Sequence, residues 1–221
     1  MGRDRIYRHF CMTARALEVV GDRWSLLIVR DLLLGPRRFT DLARGLDEIT
    51  PTRLTGRLRQ LEAAGIVVRD PSQPGREVRY GLTEAGLALE PVVDALTVWG
   101  IENAFERPLG GEPVHPEPAM IGTKVLLNRD ARGAPDGLAW VWRFPGEEDF
   151  TLRSESGEWR LSRGRGDGAA VTVATEPRAW ATFITSPRTR RRLPGKDIGL
   201  EGSRAELSRF AKAFAAKLAP K

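Results

Sequence analysis

Apolar positions along the chain change their period at recognisable places. Up to residue 64 they recur at helical spacing, from 66 to 82 they run in short strand-like blocks, and a helical stripe then returns. Ala14, Ala16, Leu17, Val19 and Val20 before Gly21 predict a short helix, and Asp22 is placed to cap the next one. Trp24, Leu26, Leu27, Ile28, Leu32 and Leu33 make that second helix apolar over most of its circumference, as a buried helix requires, and Gly35-Pro36 ends it. A third helix covers 39 to 46, with Thr40 as its cap and Phe39, Leu42 and Leu46 facing inward. Leu54, Leu58 and Leu61 fall at i, i+4 and i+7 of a fourth, from 51 to 64. Thr50 before Pro51 has the form of an N-cap followed by proline at the first helical position, and Gly65 supplies a left-handed stop. The third and fourth helices have helix-turn-helix spacing. Strands at 66–69 and 77–80, parted by the Pro- and Gly-punctuated loop 70–75, read as a wing.

A long helix is expected from Thr83 towards Ala104, carrying Leu89, Val92, Val93, Leu96 and Trp99 on one stripe; about 20 residues would extend roughly 30 Å. So long a stripe at a domain's end asks for a partner. Residues 107–117 are rich in Gly and Pro without an apolar period, which separates a domain at 1–106 from another at 118–221. In the second, 122–128 is apolar enough for a helix or a strand and is read as a helix because its apolar run continues from Ala119-Met120-Ile121; 138–144, 149–153, 158–161 and 169–174 read as strands, 176–185 as a helix, 198–202 as a strand, and 203–218 as a final helix. The expected class is α+β throughout.

Composition removes several functions. One cysteine, Cys11, and two histidines, His9 and His115, cannot make a disulfide framework or a metal site, and no cofactor is expected. The chain shows no phosphate-cradling glycine loop and no nucleophile elbow, so catalysis is not expected. No apolar run approaches the roughly 18 residues that span a bilayer, and the polar start lacks a secretory signal; a cytoplasmic protein is expected.

The formal charge of +6 matters only where it is concentrated. Between Thr50 and Tyr80 stand Arg53, Arg57, Arg59, Arg69, Arg76 and Arg79 against Glu62, Asp70 and Glu77, with Arg37 and Arg38 just upstream. Arginine suits bidentate contacts to guanine and phosphate, although a solvated arginine face in an arginine-rich chain is the plainer alternative. Thr52, Arg53 and Arg57 are the candidates for the major groove of double-stranded DNA, with Thr55 on the same helix. Thr50 and Arg38 are assigned to the DNA backbone, and Arg76, on the wing, to a phosphate or the minor groove.

Residues 11 to 100 resemble the HxlR family of winged-helix regulators. The likeness rests on Cys-x-x-Ala-x-Ala-Leu-x-x-x-Gly (11 to 21), Asp22-Arg23-Trp24-Ser25-Leu26-Leu27-Ile28, Arg38-Phe39-x-x-Leu42, Leu54-Thr55-x-x-Leu58-x-x-Leu61-Glu62, Gly65-Ile66-Val67, Tyr80-x-Leu82-Thr83-x-x-Gly86 and Trp99-Gly100. The resemblance implies a homodimeric repressor or activator, and two-fold symmetry would then imply a near-palindromic operator. It also places Cys11 where some of these regulators carry a thiol sensor, with Arg8, His9 and Arg15 near enough in sequence to favour a thiolate.

Residues 120 to 218 more weakly resemble the sterol-carrier-protein-like domain, through 172–183 and 198–210. That likeness implies an apolar tunnel, making Trp140, Trp142, Phe144, Phe150, Trp159, Trp180, Phe183 and Phe214 candidates for lining a small apolar ligand's site; an ordinary aromatic core is the alternative. A competing function is a lipid-binding or interaction module in which the winged helix is secondary.

Overall fold

A computed structural model describes residues 10–70, 78–103, 108, 110–129, 135–185 and 196–215. It divides into two compact units, Met1–Asp94 and Ala95–Lys221.

In the first unit, α1 (Met12–Val20) and α2 (Ser25–Leu32) lead into a two-residue strand β1 (Arg37–Arg38), then α3 (Phe39–Gly45) and α4 (Pro51–Ala63). Strands β2 (Val67–Asp70) and β3 (Arg79–Leu82) follow, and the sheet order is β1-β3-β2, antiparallel throughout. Ile28, Leu32, Leu42, Leu46, Ile49, Leu54, Leu58, Leu61 and Val67 form one buried cluster. Each such aliphatic side chain contributes roughly 1.5–3 kcal/mol by leaving water. These contacts fix α4 to α2 and α3 along one stripe and leave its opposite side to solvent.

Local chemistry sets the ends of α4. Thr50 Oγ1 accepts from the Arg53 N–H at 3.4 Å. At the other end Gly65 has φ +72°, and the Gly65 and Ile66 N–H groups donate to the Glu62 and Leu61 carbonyls, the paired bonds of a Schellman stop. Two caps differ from expectation. Helix α3 begins at Phe39, so Arg38 rather than Thr40 is its N-cap residue, and Asp41 Oδ2 accepts from the Arg38 N–H at 3.3 Å. Asp22 caps the turn before α2: its Oδ1 accepts from the Trp24 N–H at 2.9 Å.

The wing strand expected at 77–80 runs Arg79–Leu82 instead, because Leu82 pairs with the buried Val67 and so brings its own side chain to the core. The wing loop, 71–77, lies outside the described residues. The long helix is two helices, α5 (Glu84–Leu87) and α6 (Glu90–Asn103). Pro91 explains the break: it cannot donate to Leu87, and its ring would meet that carbonyl in a continuous helix. Thr83 ties α5 to the root of the wing, donating from Oγ1 to the Gly65 carbonyl at 2.5 Å while accepting from the Gly86 N–H at 3.1 Å. At Gly86 a Cβ would lie 2.2 Å from the Ile66 carbonyl oxygen, so only glycine permits this approach.

Helix α6 crosses the division between the units. Its stripe is split, with Val93 buried while Val92, Leu96 and Trp99 are 43, 51 and 59% exposed.

The second unit is built around α7 (Pro116–Asn128), most of whose side chains are buried. Strands β4 (Ala139–Arg143), β5 (Phe150–Glu155), β6 (Glu158–Arg163) and β7 (Val171–Thr175) precede α8 (Pro177–Thr185), β8 (Ile198–Gly202) and α9 (Arg204–Ala215). The sheet order is β6-β5-β4-β7-β8, with β4 and β7 parallel and the other pairs antiparallel. Asn128 closes the outer edge of β6, accepting from the Trp159 N–H at 2.7 Å and donating to its carbonyl at 2.9 Å. Glu117 pairs with Arg163 at 2.9 Å, both largely buried. Leu218, expected on the stripe of the last helix, lies outside the described residues. No helix among the described residues is long and apolar enough to cross a membrane.

Candidate nucleic-acid interface

The solvent side of α4 presents Thr52, Arg53, Gly56, Arg59, Gln60 and Ala63, all exposed. At 100° per residue these positions fall on one side of the helix, opposite Leu54, Leu58 and Leu61. Thr55 and Arg57, half-buried, sit on the two flanks.

Arg57 is engaged within the protein. Its Nη2 meets Asp22 Oδ2 at 2.7 Å, which ties α4 to the turn before α2. Beside the pair, Asp22, Arg23, Trp24, Arg53, Gly56, Arg57 and Gln60 line an open cleft, and the Arg23 guanidinium lies over the Trp24 ring at 5.2 Å. Of the residues named from sequence, Thr52 and Arg53 lie on the exposed row, and Thr50 at its N-terminal end. Arg38 is exposed on β1, away from α4 in sequence but beside β3, and Arg76 lies outside the described residues. Arg59 and Gln60 belong on that row too; centring a helical wheel opposite the leucines would have ranked them with Arg53.

On the small sheet, Arg38 is directly opposite Arg79, whose other neighbour is Asp70. Like charges side by side across a ladder are unfavourable, and an approaching phosphate relieves them. Arg79, exposed beside Arg38, is a basic residue of this face that the period of the sequence alone did not single out.

Cys11 is the N-cap residue of α1, half-buried, with Sγ accepting from the Ala14 N–H at 3.5 Å. Its thiol is held below the ordinary cysteine range chiefly by that N–H. Partial burial opposes the shift, and the Thr13 backbone and hydroxyl and the Arg15 charge reinforce it. Arg8 and His9 lie outside the described residues.

In the second unit the aromatic candidates come together. Trp140 stacks with Trp159 at 4.3 Å, Trp142 meets Trp180 edge-on at 5.2 Å, and Trp180 lies 5.0 Å from Phe183 and 5.7 Å from Phe214. Phe210, absent from the candidates, is central, at 4.9 Å from both Trp140 and Phe214. Phe144 packs against Phe150 at 6.0 Å. The Trp180 indole donates to Thr123 Oγ1 at 2.8 Å, whereas the buried Nε1 atoms of Trp140 and Trp142 have no hydrogen-bond partner among the described residues. Among the described residues no group of His, Cys, Asp or Glu could hold a metal.

Comparison with known proteins fits the first of these two regions. The profile of the HxlR-like helix-turn-helix family matches residues 19–107. An HTH-type transcriptional regulator of Mycobacterium tuberculosis, Rv3095, is 43% identical over 120 residues, covering 49% of this chain and 73% of the relative. The chain belongs to the HxlR-like helix-turn-helix family. An HTH-type regulator of Methanothermobacter thermautotrophicus is 37% identical over 114 residues, covering 51% of this HxlR-type chain and 84% of its own length. Among solved structures, the redox regulator HypR in its oxidised form is 38% identical, with a TM-score of 0.40 over 42% of this chain and 97% of that one. The HxlR match ends at 107, short of the aromatic cluster.

Proposed function

We propose that this HxlR-type chain is a sequence-specific DNA-binding transcription regulator, a homodimeric repressor that reads the major groove with the exposed row of α4. The observation that carries this is the row itself: Thr52, Arg53, Arg59 and Gln60, all exposed on a helix capped by Thr50 and locked by its leucines. Arginine and glutamine there match guanine and adenine edges, while Thr50, Arg38, Arg79 and the wing's Arg76 meet phosphates. Val92, Leu96 and Trp99, at i, i+4 and i+7, support dimerisation through α6, and a dimer would take a near-palindromic operator. The DNA-reading part is 1–106, followed by a linker at 107–117. The test is enrichment of a randomised duplex library by the full chain, followed by titration of Arg53→Ala and Arg59→Ala on the enriched duplex. Loss of a base-reading arginine costs about 1–3 kcal/mol and relaxes sequence preference. Both variants binding like the parent at every salt concentration would remove α4 from the reading.

A second reading concerns 118–221, for which we propose a sterol-carrier-protein-like domain that binds a small apolar molecule bearing a hydrogen-bond acceptor. The indole N–H groups of Trp140 and Trp142, without a partner among the described residues, favour it, since a buried donor left unmade costs about 1–3 kcal/mol. Differential affinity for two arrangements of the dimer could couple such binding to DNA by about 1–3 kcal/mol. Titrating a fluorescent fatty acid into the full chain, with and without the enriched duplex, tests it: no binding, or binding blind to DNA, removes the reading.

A further inference from the structure

Glycine inside a helix is destabilising relative to alanine, because the unfolded chain has more freedom to lose and the helix backbone is less shielded. A fold retains it for a backbone that needs positive φ, for a neighbour that a Cβ would strike, or for a kink. Gly86 is a case of the second kind. Gly56 is none of these. It sits inside α4 between Thr55 and Arg57, away from both caps, on a helix that runs unbroken from Pro51 to Ala63. It does not have a positive φ, and a Cβ built on it meets nothing within 4 Å among the described residues. Nothing among the described residues calls for glycine here.

Its place on the helix supplies the external reason. Gly56 lies mid-row on the solvent side of α4, one turn after Thr52, with Arg53 towards the start of the helix and Arg59 and Gln60 towards its end. Phosphates at the groove walls are left to residues at the rim, Thr50, Arg38 and Arg79. The middle of the row faces base edges, where a side chain would hold the helix off and shorten the reach of its neighbours. Resting on the DNA-binding reading above, we infer that Gly56 determines specificity: it is the point at which a base-pair edge comes closest to α4, with the helix backbone itself as the contact surface.

The inference requires stability and recognition to move in opposite directions on one substitution. Gly56→Ala, Gly56→Gln and Arg53→Ala are compared with the parent full chain by thermal melting, and by binding to the duplex enriched by the parent and to a scrambled duplex of equal length. Gly56→Ala is expected to melt about 3–7 °C higher, and to bind the enriched duplex about tenfold or more weakly. Binding to the scrambled duplex stays within about twofold, because phosphate contacts carry it, and Gly56→Gln binds the enriched duplex more weakly still. A lower melting temperature for Gly56→Ala would show that the fold needs the glycine, and overturns the inference. So does undiminished binding to the enriched duplex, or equal loss on both duplexes. If Arg53→Ala weakens specific binding while Gly56→Ala does not, only this inference falls; if the parent enriches no duplex, the DNA-binding reading falls and takes it along.

Discussion

Asp22 grips Arg57 with one carboxylate oxygen, at 2.7 Å, and the Trp24 backbone N–H with the other, at 2.9 Å. A single side chain therefore orders the turn before α2 and holds a basic residue on the flank of α4. The pair is partly exposed, so it is worth only about 0.2–1 kcal/mol of stability, but it neutralises one charge that DNA could otherwise use.

Replacing Asp22 with Asn should free Arg57 for a phosphate. The plot of log affinity against log salt then steepens by about one, and non-specific affinity rises at low salt. Anisotropy titrations on a scrambled duplex at several salt concentrations measure this. Parallel lines for parent and variant would mean that Arg57 stays off the DNA in both.

Gly86→Ala should be destabilising, by about 1–3 kcal/mol, because the new methyl meets the Ile66 carbonyl 2.2 Å away. Urea denaturation followed by circular dichroism checks the size. A variant as stable as the parent would show that α5 can move off the root of the wing at little cost.

Trp99→Lys and Leu96→Glu, on the exposed stripe of α6, should convert a dimer to a monomer without unfolding it, since neither position is buried in the protomer. Light scattering coupled to size exclusion reads the mass. A parent that is already monomeric at tens of micromolar, or a variant that remains dimeric, rules out this face.

Cys11 should alkylate at lower pH than a free thiol. The Ala14 N–H and the other groups at the helix start favour the charged form, so the folded pKa is depressed and thiolate accumulates earlier as pH rises. The rate of iodoacetamide labelling against pH gives the midpoint, with guanidine-unfolded chain as reference. Coincident midpoints would dispose of the activated thiol; and if Cys11→Ser answers a diamide-type oxidant as the parent does in DNA binding, Cys11 is no sensor.

Much of the helix-turn-helix was legible because its signals are local. Thr50-Pro51 and Gly65 bracket α4 by their own backbone chemistry, and three leucines at helical spacing name its buried side. Elements set by partners were harder. Strand β1 is two arginines that become a strand only by lying beside Arg79 and Tyr80. The reach of β3 to Leu82 follows from its pairing with Val67. The apolar stripe from Leu89 to Trp99 predicts one long helix, but Pro91 has no donor to continue α5, and the helix breaks there. On α4 a helical wheel already separates the exposed row from its flanks, but that Arg57 is held by Asp22 is visible only in the structure. Gly56 escaped notice because the absence of a side chain leaves no periodic mark.

The sheet order of the second unit also fixes what the ribosome must leave undone. Strands β4, β5 and β6 follow one another through short turns and can zip together as soon as residue 163 is available. One side of β4, carrying Trp140, Val141 and Trp142, then waits for β7, which pairs with it in parallel register, Trp140 opposite Val171. For that interval the centre of the finished sheet is an open apolar edge, the kind of template on which nascent chains stick to one another. A chain broken off between residues 164 and 170 would therefore be prone to aggregate, whereas one ending near residue 110 would lack that open edge.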